Sequence, residues 1–215
     1  MFWKQSIELL TRNIKLRKYN LYNNDRKLHL PVRNLKMKNN IVWIDMEMTG
    51  LDVQNDKILE IACLVTTEDL KIISPDFEMV IHQPDDILSK MDDWCTRTHN
   101  LSGLTDKVKN SKYTVKDAEE KLLEFLKTYT IEKTTPLAGN TVWMDRIFLK
   151  KYLPIVDEYL HYRIIDVSTI KELAKRWNSE IFEEAPSKKF HHRGLIDIKE
   201  SIAELEYYKK SFFKV

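Results

Sequence analysis

The sequence predicts an α/β fold, a mixed β-sheet flanked by helices, preceded by a basic N-terminal extension. Three bulky apolar segments follow one another early with short connections, the pattern of an antiparallel meander. From Thr114 onward, apolar residues recur at helical spacing. Those helices alternate with short β-like runs at Leu137–Asn140 and Arg163–Val167. The order βββαβαβαα fits a sheet of mixed direction and not a barrel of eight βα units.

Residues 1–39 form the extension. Residues 1–40 hold ten Lys and Arg against two acids, whereas the rest of the chain holds 25 against 31. A basic arm thus precedes an acidic body, although the whole chain carries only +2. Phe2, Ile7, Leu10 and Ile14 share one helical face, with Arg and Lys around them. That pattern is similar to a mitochondrial transit peptide, while an RNA-touching extension or a plain tail fits the same composition. The expected location is the mitochondrion, with the cytoplasm as the alternative. Residues 20–40 are rich in Asn and Lys and read as a linker.

The body, residues 40–215, opens with Ile41–Met48, whose alternation predicts a strand ended by Thr49-Gly50. Lys57–Thr67 and Phe77–Gln83 predict the next two strands, the last stopped by Pro84. Thr114–Thr130 predicts a helix with Val115, Ala118, Leu122, Phe125 and Leu126 on one face and Thr114 with Asp117 as its cap. Asp145–Leu153 is a helix stopped by Pro154, and Ser168–Trp177 another after the buried strand Arg163–Val167. Glu183–Gly194 is a polar loop. Asp197–Phe213 closes the chain as a helix with Ile198, Ile202, Leu205 and Phe212 on one face.

Composition excludes several classes. Hydrophobic residues at 43% and charged residues at 32% describe an ordinary globular chain with a sizeable core. No apolar run approaches the roughly 18–20 residues of a membrane helix, so no membrane partner is expected. Cys63 and Cys95 are too few for a disulfide framework and too far apart for a Cys-x-x-Cys metal site.

The chemistry points to acids. Alternation puts Asp45 and Glu47 on the same face of one strand. Like charges that close call for a cation, and hard oxygen ligands suit Mg²⁺ or Mn²⁺. Asp-x-Glu alone is weak: composition predicts about 1.3 copies, and three occur. Asp76–Glu78 and Asp117–Glu119 read as solvated faces. Asp45–Glu47 differs because it extends the buried-looking run Ile41–Ile44, where acids need a reason. His192, in the polar loop, precedes Asp197 at a helix start, and a mobile His there can take a proton from water near neutral pH. Asp145 opens a helix after a strand. Read alone, His192 is an ordinary loop histidine and Asp197 and Asp145 are helix-terminal acids. Asp, Glu, Asp and Asp in this chain order, with one His, compose a two-metal hydrolase site.

Longer motifs carry more weight. WIDMEMTGLD (43–52), LEIACLVT (59–66), MDDWCTRTHNLSGL (91–104), LAGNTVWMDRIFL (137–149), YLHYRIIDVSTIKELAKRW (159–177) and HHRGLIDIKESIAELEYY (191–208) resemble the oligoribonuclease family of DEDDh 3′→5′ exonucleases. The resemblance covers the chain from Asn40 to about Phe213 and implies an RNase H-like fold. It implies that Asp45, Glu47, Asp145 and Asp197 bind two divalent cations and that His192 is the general base. Leu51 is then a wedge against the substrate bases and Trp94 an aromatic contact to the 5′ base. His99, Thr141, Arg163, Ser168 and Thr169 resemble a polar cap for the 5′ phosphate of a very short RNA. Tyr162 matches an aromatic supplied by a partner subunit, so a homodimer is implied. Read alone, Trp94 and Leu51 are core residues and Ser168-Thr169 a helix N-cap. Three positions depart from the family pattern: Thr141 stands where Ser is usual but keeps the hydroxyl, Ile196 replaces a second acid beside Asp197, and Gly194, where Ala is usual, is expected to loosen the His192 loop.

The function implied is degradation of single-stranded RNAs of about two to five nucleotides to 5′-mononucleotides. An acidic body suits this better than it suits binding of long polyanions. One rival is a proofreading-type exonuclease acting on longer DNA or RNA. Another is a non-catalytic nucleic-acid-binding module tethered through the arm.

Overall fold

The computed structural model describes residue 37 and residues 39–187 and 193–213. Three strands form first: β1 (Ile41–Met48), β2 (Ile58–Thr66) and β3 (Phe77–Val80). They pair antiparallel, β1 with β2 and β2 with β3, as the meander predicts. β4 (Leu137–Gly139) and β5 (Ile164–Asp166) add in parallel on the other side of β1, giving the order β3-β2-β1-β4-β5. Five of the helices are α1 (Asp85–Leu88), α2 (Asp93–Leu101), α3 (Leu104–Asn110), α4 (Val115–Tyr129) and α5 (Trp143–Tyr152). They are followed by α6 (Pro154–Tyr159), α7 (Val167–Trp177), α8 (Ser179–Glu183) and α9 (Gly194–Ser211).

The strand alternation divides β1 between two cores. Val42, Ile44 and Met46 face Leu122 and Leu126 of α4, Phe148 of α5 and Val156 of α6. Ile41 and Trp43 face the other way, with Ala62 and Leu64, onto Val167 and Ala174 of α7 and Ile198, Ile202 and Leu205 of α9. Trp43 is fully buried, and its indole N–H donates to Thr66 Oγ1 at 3.0 Å, so no polar atom of that ring is stranded. Asp45 and Glu47 continue the odd-numbered face and therefore open toward α9. A third cluster, Leu59, Leu88, Met91, Cys95, Leu104 and Val108, holds α1–α3 against the sheet edge.

Local chemistry sets the helix ends. Thr114 and Asp117 make a full capping box at the start of α4. Glu119 Oε1 accepts from the Ile155 N–H at 2.7 Å, so this acid caps the neighbouring α6 and does not merely face solvent. Likewise Asp76 pairs with Lys199 of α9 at 2.8 Å and Glu78 with Arg193 at 2.7 Å. Both acids tie β3 to α9, where a solvated face was expected.

Other expectations are corrected. β5 is the sheet edge, with Ile164 exposed, and not a buried strand. The N-cap of α7 is Asp166, whose side chain accepts from Ser168 N–H; Ser168 and Thr169 lie inside the first turn. Asp145 is the third residue of α5, not its first. α9 begins three residues before Asp197. Gly194 packs there so closely that a Cβ would lie 2.6 Å from Ala62 Cβ. Glycine permits this close join between α9 and the sheet, while the His192 loop, which Gly194 is expected to loosen, lies outside the described residues.

Candidate active site

β1 delivers Asp45 and Glu47 from one face, and the first turn of α9 brings Asp197 to them. One carboxylate oxygen from each lies within 4.8 Å of the others. The Arg193 N–H donates to Asp197 Oδ2 at 3.2 Å, fixing this carboxylate as the helix begins. Asp145 arrives from α5. β2 flanks Met46 on one side, but β4 pairs with β1 only at Val42 and Trp43, so β4 does not reach Met46 on the other. The Met46 N–H instead donates to Asp145 Oδ1 at 3.0 Å. The buried fourth acid therefore completes the β1 ladder while standing in the field of Asp45 and Glu47.

The electrostatics are those of an anion cluster. Glu47 is pushed up to about 8 by burial, then by Asp45, Asp197 and Glu60, with Arg193 opposing. Burial and the Asp45 charge also raise Asp145 well above the usual carboxylate range. Glu60 stands directly opposite Glu47 in the β1–β2 register and has no exposed surface. Its carboxylate faces the Arg193 guanidinium at 3.5 Å and accepts from the Gly194 N–H at 3.3 Å. Arg193 thus forks between Glu60 and Glu78 and offsets part of the negative charge beneath the site. Sequence reading overlooked both Glu60 and Arg193. The signal available was an acid inside the otherwise apolar run LEIACLVT.

A cleft of about 480 Å³ opens over this cluster, lined by Asp45, Glu47, Leu51, Trp94, His99 and Asp197 among others. Leu51 is 67% exposed and Trp94 52%, so neither is a core residue. His99 is buried. Its Nε2 donates to the Met48 carbonyl at 2.9 Å, which leaves Nδ1 toward Glu47 Oε2 at 3.9 Å.

The remaining predicted residues lie elsewhere. Thr141, Ser168 and Thr169 line a separate depression of about 350 Å³ with Asp166, Trp143 and Arg176. Thr141 has φ +53°, a left-handed backbone that costs a threonine energy. It is held there because its N–H donates to Asp166 Oδ1 at 2.9 Å and Ser168 Oγ at 3.0 Å. The two hydroxyls meet at 3.1 Å. Tyr162 is 74% exposed, stacked on His161, with the Arg163 guanidinium over its ring. His192 lies outside the described residues, as does the basic arm up to residue 36.

Hard carboxylate ligands gathered this closely, with Glu47 raised by its neighbours, fit divalent cations. A mixed sheet with such a cluster at the end of its central strand is the arrangement of a metal-dependent exonuclease. The family model described as "Exonuclease" matches residues 42–205. By structure, exonuclease I from Methylocaldum szegediense superposes with a TM-score of 0.61 at 16% identity, over 81% of this chain and 41% of that one. The fold is therefore shared, while this chain spans about two fifths of that protein's length.

Sequence relatives are nearer. A "Probable oligoribonuclease" of Drosophila melanogaster is 44% identical over 205 residues, covering 95% of this chain and 96% of that protein. The "Oligoribonuclease, mitochondrial" of Homo sapiens is 49% identical over 178 residues, 83% of this chain and 75% of that one. The chain belongs to the exonuclease family and, within it, to the oligoribonucleases.

Proposed function

We propose that this protein is a 3′→5′ exoribonuclease that degrades RNAs of about two to five nucleotides, dinucleotides above all, to 5′-mononucleotides. The observation that carries this reading is the carboxylate cluster in a cleft rimmed by the exposed Leu51 and Trp94. A cleft of about 480 Å³ suits a short ligand. Asp45, Glu47, Asp145 and Asp197 hold two divalent cations, Mg²⁺ or Mn²⁺. Bound there, the cations supply Lewis acidity to the scissile phosphate and raise the acidity of the attacking water. His192 accepts the proton of that water. Leu51 and Trp94 hold the bases, and His99 fixes the turn after β1 through the Met48 carbonyl.

The depression around Thr141, Ser168 and Thr169 supplies hydroxyls and helix N-terminal N–H groups suited to a phosphate. Arg163 adds charge. Tyr162 is exposed and is not among the cleft-lining residues, and Trp143, Ile147 and Ile164 are exposed as well. We assign this face to a second copy of the chain, whose cleft Tyr162 then reaches. Residues 1–39 form the arm and 40–215 the exonuclease domain. The arm's composition, and a relative named as mitochondrial, support import into mitochondria.

The test is hydrolysis of 5′-labelled RNAs of two, five and twenty nucleotides with Mn²⁺ or with EDTA. Rapid, chelator-sensitive loss of the dinucleotide is expected, with the twenty-nucleotide RNA nearly untouched. Efficient shortening of the long RNA overturns the short-substrate reading.

A further inference from the structure

The turn joining β1 to β2 is tied from several sides. Its base is closed by Thr49 N–H donating to the Lys57 carbonyl at 2.9 Å and Lys57 N–H donating to Thr49 Oγ1 at 3.0 Å. Inside it, the Asp56 carboxylate accepts from Thr49 Oγ1 at 2.7 Å and from Asp52 N–H at 2.8 Å. The Asp52 carboxylate accepts in turn from Gln54 N–H and from the Asn55 side chain. Helix α5 holds the outer side: Tyr152 OH donates to the Asp56 carbonyl, and Lys151 Nζ donates to the carbonyls of Val53 and Gln54.

Gly50 belongs to the same device. A Cβ on Gly50 would lie 2.4 Å from Asp56 Oδ2, so the carboxylate occupies the space a side chain would take. Gly50, against which this carboxylate sits, and Leu51, which follows it in the chain, both line the cleft. Leu51 stands out into solvent although its backbone is bounded by Asp56 contacts at Thr49 and Asp52. A large apolar side chain held exposed on a cross-braced turn is pre-organised for a ligand, because little ordering remains to be done on binding.

We propose that Asp56 is a positioning residue for substrate: its carboxylate, seated against Gly50, holds Leu51 at the base-facing wall of the cleft. The inference rests on the reading that this cleft binds a nucleotide. Asp56 touches neither the substrate nor the carboxylate cluster and acts through Leu51. Two variants attack the seat from opposite sides. Asp56→Ala removes the carboxylate, and Gly50→Ala displaces it without changing its charge.

The experiment is a double-mutant cycle with Leu51→Ala, read as KM and kcat, beside Mn²⁺ affinity and amide exchange over residues 49–57. Asp56→Ala, Gly50→Ala and Leu51→Ala are each expected to raise KM about tenfold and to leave kcat within about twofold. Adding Leu51→Ala to Asp56→Ala costs less than about a further twofold, since both remove the same contact. Mn²⁺ affinity stays unchanged, and Asp56→Asn, which keeps one acceptor, recovers part of the loss. Amide exchange quickens within the turn alone.

Additive effects of Leu51 and Asp56 overturn the proposal. So does a joint fall in kcat and Mn²⁺ affinity, which means that the turn acts on Glu47 instead. If Asp56→Ala fails to fold, Gly50→Ala carries the same cycle. The cycle uses whichever RNA the wild type cleaves faster, two or twenty nucleotides. A wrong substrate length therefore overturns the functional reading and not this one. Exchange needs no turnover, and unchanged exchange in both variants overturns the positioning role by itself.

Discussion

Replacing Asp45 or Asp197 by Asn lowers kcat on a dinucleotide by about 10³-fold or more while raising the melting temperature of the metal-free protein. The two effects have one cause. Asp45, Glu47 and Asp197 each bring an oxygen within 4.8 Å of the others. On the proposed function each is a hard oxygen ligand whose loss opens the cation site, and groups acting as one unit fail together. Without a cation the same acids repel, and both Asp45 and Asp197 raise Glu47. Deleting either charge relieves that repulsion. Hydrolysis assays and thermal melts in EDTA check the pair. Activity within tenfold of wild type, or a metal-free variant that melts lower, removes that residue from the cluster.

In EDTA, stability falls as the pH rises from about 5 to 8, and Mn²⁺ reverses the fall. Glu47 is raised from 4.5 to about 8 in the folded protein. Between those values the folded state keeps a proton that the unfolded chain has released. Its contribution is complete below the unfolded value and is lost as the pH passes through the folded one. The shift corresponds to about 5 kcal/mol as an order of magnitude, or roughly 10–20 °C in melting temperature for a domain of this size. Glu60 and Asp145 are raised in the same direction, with burial the leading cause in both. Glu47→Gln therefore reduces the slope without flattening it. A bound cation favours the ionised acids and restores stability at pH 8. Melts at three pH values, with EDTA or Mn²⁺, read the slope; the same slope in Glu47→Gln removes Glu47 as a source.

Much of the frame was legible because periodicity records burial. The alternation of Ile41–Met48 reports a strand with two buried faces, and the same alternation places Asp45 beside Glu47. The face of α4 reads from Ala118, Leu122 and Leu126, all fully buried, and its start from the Thr114–Asp117 box. α1–α3 were not legible. They are four to nine residues long, too short for a 3.6-residue period to show, and their burial depends on the separate cluster around Leu59 and Leu104. β5 was read as buried because Ile164 and Ile165 are apolar. Its place at the sheet edge depends on strand order, which no local pattern carries.

The division at the site follows the range of each force. Sequence alone determined which residues share the β1 face, because the side-chain period of a strand is local. Its long motifs marked out the family and, through it, the acids. Tertiary structure decided which groups meet across long stretches of chain. Asp145 takes the Met46 N–H because β4 stops short of it. Glu60 faces Glu47 through strand register, and Arg193 offsets both from the start of α9. Leu51 and Trp94 stand exposed at the cleft, and only packing could separate them from core residues of the same type. Hydrogen bonds and charge pairs between distant segments leave no period in a sequence, so only the folded chain reveals them.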